Sequence, residues 1–202
     1  AKEYAKIIRN LTAASDEEKK IVLPRFFKTG KGEYGEGDKF LGVTVPETRK
    51  VAKAHKEASY ELIEALLESE WHECRLCALL ILIEKYKKAS EEAVQFYLKH
   101  LKGINNWDLV DLSAPYILGD HLVKHSDHSV LYTLAQAPVM WEQRIAVVST
   151  LMLIRHGQFT DTIELAELFL GTKHDLMQKA VGWMLREVGK RDKSLLISFL
   201  SA

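Results

Sequence analysis

The sequence has little of several features that define large classes of proteins. Only two cysteines, Cys74 and Cys77, occur among the 202 residues, and both fall in one predicted helix, which excludes a disulfide framework and favours a reducing compartment. No apolar run approaches the roughly 20 residues that a membrane-spanning helix needs, and charged residues at the N-terminus leave no apolar signal segment. We therefore expect a soluble cytoplasmic protein.

Net charge and strand patterns are also missing. Lysine and arginine together number 28, as do aspartate and glutamate, so no overall field indicates a nucleic-acid partner, although a local basic patch fits this balance. No stretch alternates apolar and polar residues between turn signals, which argues against strands. The stretch 29–38 holds four of the eleven glycines and predicts a surface loop.

Helical periodicity predicts a series of helices joined by short polar turns. Ser15 or Asp16 is the expected N-cap of the second helix, which extends to about Phe27, and Thr44 with Pro46 marks the start of the third. The first helix is predicted at 3–11, and the helices from the third onward at 46–56, 60–68, 71–87, 90–101, 106–122, 127–136, 140–156, 160–169, 173–189 and 192–200.

The longer predicted helices recur with a nearly constant period. They begin at Trp71, Trp107, Trp141 and Leu176, which are 36, 34 and 35 residues apart. Two-helix units of about this length are typical of stacked helical repeats, and the signatures of tetratricopeptide and ankyrin repeats are missing. The predicted fold is therefore all-α, a HEAT-like helical-repeat solenoid (an α-α superhelix) with a concave groove.

This repeat pattern also predicts the domain organisation. We expect a single HEAT-like repeat domain over residues 1–202, in which the helices of residues 1–58 form an N-terminal cap. The paired-helix repeats then occupy about 59–202, and the longer helix of each pair lines the concave side, the surface that solenoids use for binding.

The predicted helix at 106–122 carries the most unusual chemistry of the repeat frame. Trp107 and Asp111 are four residues apart and so share one helix face, whereas the matching positions of neighbouring repeats hold Arg75 and Ile145 in place of the carboxylate. An aromatic ring beside a carboxylate suits a ligand. The alternative makes Trp107 a core residue between repeats and Asp111 an acid favoured by the helix dipole.

Motifs spread along this frame resemble a known family. They are Phe40-Leu41-Gly42-Val43 with Pro46 and Arg49, Asn106-Trp107-Asp108-Leu109-Val110-Asp111, Trp141-Glu142-Gln143-Arg144, and Gly182-Trp183-Met184-Leu185-Arg186-Glu187. From about Tyr4 to Leu200 the sequence resembles the DNA alkylation repair family, HEAT-like-repeat DNA glycosylases of the AlkD type. The resemblance implies a monomer whose concave groove binds damaged double-stranded DNA, with no metal, cofactor or membrane involved.

The resemblance also implies roles for individual residues. In the family, two tryptophans and an aspartate flank the sugar of the damaged nucleotide, and these correspond to Trp107, Trp183 and Asp111, the expected catalytic residues. Arg144 is expected to contact backbone phosphate, and an ion pair with a neighbouring acid is the alternative. The C-terminal residues expected to bind DNA are Lys179, Arg186 and Arg191. The alternative for these three residues is that they simply belong to a solvated helix face.

The reaction implied is hydrolysis of the N-glycosidic bond of N3- or N7-alkylated purines in duplex DNA, with Asp111 stabilising the oxocarbenium-like sugar or positioning water. Two features differ from the family pattern. The loop at 31–38 is longer, and Phe26-Phe27 stands where a tyrosine is usual. The alternatives are a non-catalytic HEAT-like protein that binds distorted or branched DNA, and a protein–protein scaffold.

One further motif invites a metal or redox interpretation. Cys74 and Cys77 are three residues apart, with His72 nearby, but the sequence offers no second pair of metal ligands to complete such a site. Buried, apolar thiols are therefore the favoured interpretation, and no metal site is predicted.

Overall fold

The computed structural model describes residues 2–202, and this part of the chain is all-helical, as predicted. No strand occurs in it, although a single β-bridge joins Lys39 and Trp71. None of its helices is long and apolar enough to cross a membrane. The α-helices are α1 Lys2–Ala13, α2 Glu17–Phe26, α3 Val45–Ala54, α4 Tyr60–Leu67, α5 His72–Lys88, α6 Ser90–Lys99, α7 Trp107–Asp111, α8 Asp120–Val123, α9 Ser129–Ala135, α10 Met140–Arg155, α11 Thr160–Leu168, α12 Asp175–Arg191 and α13 Lys193–Ser201.

Side-chain caps set the first helix boundaries. The Asp16 carboxylate accepts hydrogen bonds from the backbone N–H groups of Glu18 at 2.8 Å and Lys19 at 3.3 Å, at the start of α2. The Thr44 hydroxyl accepts from the N–H of Glu47 at 3.4 Å, at the start of α3. These contacts satisfy N–H groups that have no partner within the helix, so the two caps predicted from the sequence are confirmed.

The repeat period is preserved in the structure. The helices α5, α7, α10 and α12 begin at His72, Trp107, Met140 and Asp175, which are 35, 33 and 35 residues apart. The helices α6, α9 and α11 lie between them in the chain, and α7 is continued by the π-helical turn Pro115–Gly119 and by α8. This recurrence of a short and a longer helical segment is consistent with the predicted helical-repeat solenoid.

The chain forms two compact units, Ala1–Leu109 and Val110–Ala202. In the first unit, α5 packs against α3, α4 and α6, and its apolar residues from Leu76 to Leu82 are buried. In the second unit, α10 packs against α9, α11 and α12 and is similarly buried. Each unit therefore has a central helix that is covered on most sides by its neighbours. The single repeat domain with residues 1–58 as its cap stays a prediction.

The predicted helix at 106–122 is interrupted. The α-helical part, α7, ends at Asp111, and the backbone continues through a turn into a π-helical turn, Pro115–Gly119, whose last N–H bonds the carbonyl of Ala114 at 2.9 Å. Pro115 has no N–H to offer the carbonyl four residues earlier, and its ring crowds that carbonyl. The α-helical bonding consequently gives way to the wider π-type bonding at Pro115–Gly119, a turn type that is frequent at functional sites.

Candidate functional site

Asp111, the last residue of α7, forms a bidentate ion pair with Arg144 of α10. The guanidinium donates from Nε to Oδ1 at 3.0 Å and from Nη2 to Oδ2 at 2.9 Å. Its Nη1 donates to the carbonyl of Leu176, in the first turn of α12, at 2.7 Å. The Asp111 side chain is 16% exposed and that of Arg144 only 7%, so the second unit holds this carboxylate firmly yet leaves it partly accessible.

The geometry of this pair limits what each partner can do. A fork of two parallel N–H donors fixes both carboxylate oxygens, and such charge-assisted pairs are stronger than neutral hydrogen bonds. Three of the five N–H donors of the Arg144 guanidinium are engaged with protein, which leaves two for another acceptor. The ion pair considered as the alternative for Arg144 is therefore present, and its contact with phosphate stays a prediction.

The predicted residues of α12 lie on a helix that has two distinct faces. Its buried stripe consists of Met177, Ala180, Met184 and Val188. Lys179, Trp183, Arg186 and Lys190 follow one another at intervals of three or four residues, so they share the opposite face. The three basic residues are exposed and Trp183 is half-buried, so this face combines cationic side chains with one aromatic ring.

Two details show how open this face of α12 is. A Cβ atom built on Gly182 would meet nothing within 4 Å, so the surface beside Trp183 is uncrowded. Lys179 forms an ion pair with Asp175 at 3.1 Å, but both side chains are about two-thirds exposed, and such surface pairs contribute little. Arg186 and Arg191 are exposed and have no acidic partner within the described chain; Arg191, the last residue of α12, lies outside the face.

Trp107, the first residue of α7, lies in an aromatic cluster of the first unit and is half-buried. Its ring stacks on Phe27 with 5.0 Å between the centroids, and Phe26 meets it edge-on at 5.7 Å. Its indole Nε1 donates a hydrogen bond to the hydroxyl of Tyr34, in the glycine-rich loop, at 3.3 Å. The two phenylalanines that depart from the family pattern are thus the direct neighbours of Trp107.

A buried charge network adjoins this cluster. His72 contacts Asp38 through Nδ1 at 2.6 Å and Asp108 through Nε2 at 2.7 Å, and the rings of Phe27 and Phe40 pack on the imidazole. Burial alone favours the neutral imidazole, but the hydrogen bonds and charges of Asp108 and Asp38 outweigh it and raise the pKa of His72 to about 9. At neutral pH the ring is therefore an imidazolium that donates to both carboxylates.

The same network fixes the chain that follows the glycine-rich loop. Arg75 donates to Asp38 at 2.7 Å. Burial raises the pKa of Asp38, but hydrogen bonding to His72 and the charges of His72 and Arg75 lower it below the usual value on balance. The Glu73 carboxylate accepts from three consecutive backbone N–H groups at 2.8, 2.9 and 3.0 Å, those of Leu41, Gly42 and Val43. The first turn of α5 thus anchors residues 38–43.

This network was not predicted from the sequence. There His72 is noticed only as a neighbour of two cysteines, and neither Asp38 nor Asp108 is singled out. A signal was present in the repeat frame, because His72 follows Trp71 as Asp108 follows Trp107, one repeat later. Residues at equivalent positions of adjacent repeats are candidates for contact, and one here is basic and the other acidic.

The cysteines of α5 are not part of any such cluster. Both Cys74 and Cys77 are fully buried and unpaired, and burial raises the pKa of their thiols to about 11 and about 12. Because the thiolate is the reactive form, neither thiol is poised for redox or nucleophilic chemistry. The prediction of buried thiols is confirmed.

The fold and these side chains define an all-helical repeat protein with a half-buried carboxylate, two half-buried tryptophans and a basic helix face. The model of the family described as DNA alkylation repair enzyme matches residues 7–202. The chain therefore belongs to the DNA alkylation repair enzyme family, and this membership supports a role in DNA repair.

A solved structure shares the fold. It is described as a predicted DNA alkylation repair enzyme from Enterococcus faecalis, with a TM-score of 0.74 and 20% sequence identity, over 93% of this chain and 89% of that chain. No curated protein matches the chain significantly. At this level of identity the likeness shows the architecture alone.

Proposed function

We propose that the protein is a DNA glycosylase of the AlkD type that releases N3- and N7-alkylated purines from duplex DNA. The observation that carries the proposal is the fixed, partly accessible carboxylate of Asp111, held by the fork of Arg144 in a member of the DNA alkylation repair family. A carboxylate held this firmly is preorganised, and such groups stabilise developing charge without the cost of reorganisation.

The chemistry of the substrate suits a site with so few functional groups. An N3- or N7-alkylated purine carries a positive charge, so it leaves as a neutral base when the glycosidic electron pair moves to the purine nitrogen, and it needs no general acid. Positive charge then develops on the deoxyribose, where the Asp111 carboxylate would stabilise it. Water adds to the sugar carbon and loses a proton, which completes the hydrolysis without a metal or a cofactor.

The other predicted residues support this reaction in different ways. Trp107 and Trp183 are half-buried, and each would offer an electron-rich indole face to the cationic sugar or base. Arg144 would orient Asp111, and its two remaining N–H donors would bind a backbone phosphate. Lys179 and Arg186, on the exposed face of α12, would contact further phosphates, as would Arg191 at the end of that helix.

The test is release of 7-methylguanine or 3-methyladenine from methylated duplex DNA under single-turnover conditions. We expect Asp111→Asn to lower the rate about 100-fold, because removal of one preorganised electrostatic group typically slows a reaction by at least this factor. Asparagine keeps the shape and one oxygen for Arg144 but removes the charge. Glu167→Gln, which neutralises an exposed carboxylate on α11, is the matched control and should act like wild type.

Each outcome has a definite meaning. Equal release by wild type and Asp111→Asn would exclude the mechanism. If wild type releases neither base but binds branched or distorted DNA more tightly than a plain duplex, the non-catalytic alternative is correct. Thermal unfolding of both variants shows whether a lower rate merely follows from lower stability, since Arg144 is buried and would lose part of its partner.

A further inference from the structure

The glycine-rich loop reaches one of the proposed site residues directly. The hydroxyl of Tyr34, from this loop, accepts the hydrogen bond of the Trp107 indole N–H at 3.3 Å, across 73 residues of sequence. Tyr34 is half-buried, as is Trp107. An indole has a single polar donor, so this contact commits the polar edge of the ring to the protein.

The hydrogen bond adds something that the aromatic contacts of Trp107 lack. Phe27 stacks on the indole with an interplanar angle of 29°, which defines the plane of the ring, and Phe26 closes one edge at 69°. Offset stacking allows the rings to slide, and a half-turn of the indole about its Cβ–Cγ bond keeps the same plane but exchanges its two edges. A directional bond to Nε1 removes that freedom and fixes which edge of the indole points toward the loop.

The loop is built to hold Tyr34 in place. The next residue, Gly35, lies so close to α2 that a Cβ atom there would stand 2.2 Å from the backbone oxygen of Phe27. The Gly35 N–H bonds the carbonyl of Lys28 at 2.9 Å. Four residues after Tyr34, the carboxylate of Asp38 is anchored by His72 and Arg75. The tyrosine is thus carried between two fixed points rather than on a loose segment.

We propose that Tyr34 is a positioning residue that orients the indole of Trp107 for the reaction. This inference rests on the function proposed for Trp107, an aromatic plate that faces the charged sugar. A ring that exchanges between the two edge orientations still binds DNA, but it meets the transition state in the productive orientation only part of the time. Loss of the hydroxyl should therefore slow excision more than it weakens binding.

The direct test uses the indole N–H itself. The chain has four tryptophans, so wild type should give four indole N–H signals in a nitrogen–proton NMR spectrum, and Trp107→Phe identifies the one of interest. In Tyr34→Phe we expect this signal to shift and its N–H to exchange faster with solvent, while the other three stay in place. An unchanged signal and exchange rate would overturn the proposal.

The functional test compares rate and affinity on the same DNA. We expect Tyr34→Phe to lower the single-turnover excision rate about fivefold, the effect of one ordinary hydrogen bond, with the Kd for DNA unchanged. Tyr4→Phe, which removes the hydroxyl of a half-buried tyrosine in α1, is the control and should match wild type. A rate equal to that of wild type, or a loss confined to Kd, would contradict the positioning role.

The two proposals fail in distinguishable ways. If wild type releases no alkylated base, the proposed glycosylase function fails, and the NMR comparison still decides whether Tyr34 orders the Trp107 ring. If wild type is active and the indole signal of Tyr34→Phe is unchanged, only the positioning role is refuted.

Discussion

The buried imidazolium of His72 predicts that the stability of the protein falls as the pH rises above neutrality. Its ring is 2% exposed and donates to Asp38 and Asp108. These bonds raise its pKa from the usual 6.5 to about 9. Such a shift corresponds to about 3 kcal/mol of preference for the protonated ring in the folded state. This is a large share of the free energy of unfolding of a typical domain, which is about 5–15 kcal/mol.

The sign of the effect follows from linkage. Below pH 6.5 the ring is protonated in both the folded and the unfolded chain, so the contribution of His72 is fully present. Between pH 6.5 and about 9 the unfolded chain has lost this proton while the folded chain keeps it, so rising pH favours unfolding. We therefore expect the free energy of unfolding to fall by about 3 kcal/mol over this interval.

Urea unfolding followed by circular dichroism at pH values from 6 to 8.5 measures most of this loss. It stays below the pH at which the raised thiol pKa values of Cys74 and Cys77 add a loss of their own. In His72→Gln we expect the free energy of unfolding to be lower at pH 6 and nearly constant over this interval. Glutamine cannot titrate, and it leaves Asp108 without a cation and Asp38 with Arg75 alone. His128 lies within hydrogen-bonding reach of Asp161 and its pKa is also raised, because that contact outweighs burial, so both proteins are best compared in a His128→Gln background. Parallel loss of stability in the two proteins would refute the assignment of the proton to His72.

Two further predictions concern the loop and the basic face of α12. Gly35→Ala should destabilise the protein by about 1–3 kcal/mol, because its Cβ atom would overlap backbone, whereas Gly30→Ala meets only a flexible glutamate side chain and should be nearly neutral in the same thermal unfolding assay. Replacing Lys179 and Arg186 together with glutamine should lower the slope of log K for DNA against log salt by about 2, as loss of two phosphate contacts predicts. Lys6→Gln on α1 is the control and should leave the slope unchanged. An unchanged slope in the double variant would show that this face of α12 does not contact DNA.

Sequence patterns predicted the regular parts of the fold because those parts depend on local rules. The caps at Asp16 and Thr44 need only neighbouring backbone, and helical periodicity fixes which faces are buried. The break after Asp111 was missed, although Pro115 was visible, since a proline in a helical pattern either ends the helix or only kinks it. Which of these occurs depends on packing that no local window contains.

Side-chain partners were harder to predict than helix positions. The sequence showed that the pair of Trp107 and Asp111 differs from the matching pairs of neighbouring repeats. It did not show that Tyr34 accepts a hydrogen bond from the indole of Trp107, or that Arg144 forms an ion pair with Asp111. Both partners lie more than thirty residues away in sequence. The glycine-rich loop was predicted only as a surface loop, because turn residues indicate where a chain bends and not which element it then packs against.

The helix α7 has only five residues, and so short a helix is not stable by its own hydrogen bonds. Each of its two acidic side chains forms an ion pair with a basic side chain from a longer helix of a neighbouring repeat. His72 of α5 holds Asp108 in the first unit, and Arg144 of α10 holds Asp111 in the second. The helix is therefore fixed by tertiary contacts rather than by its length: these are the buried side chains of Leu109 and Val110 together with the two charged pairs. This arrangement explains how a short segment followed by a proline can present Trp107 and Asp111 in defined orientations, which is what the proposed reaction requires of them.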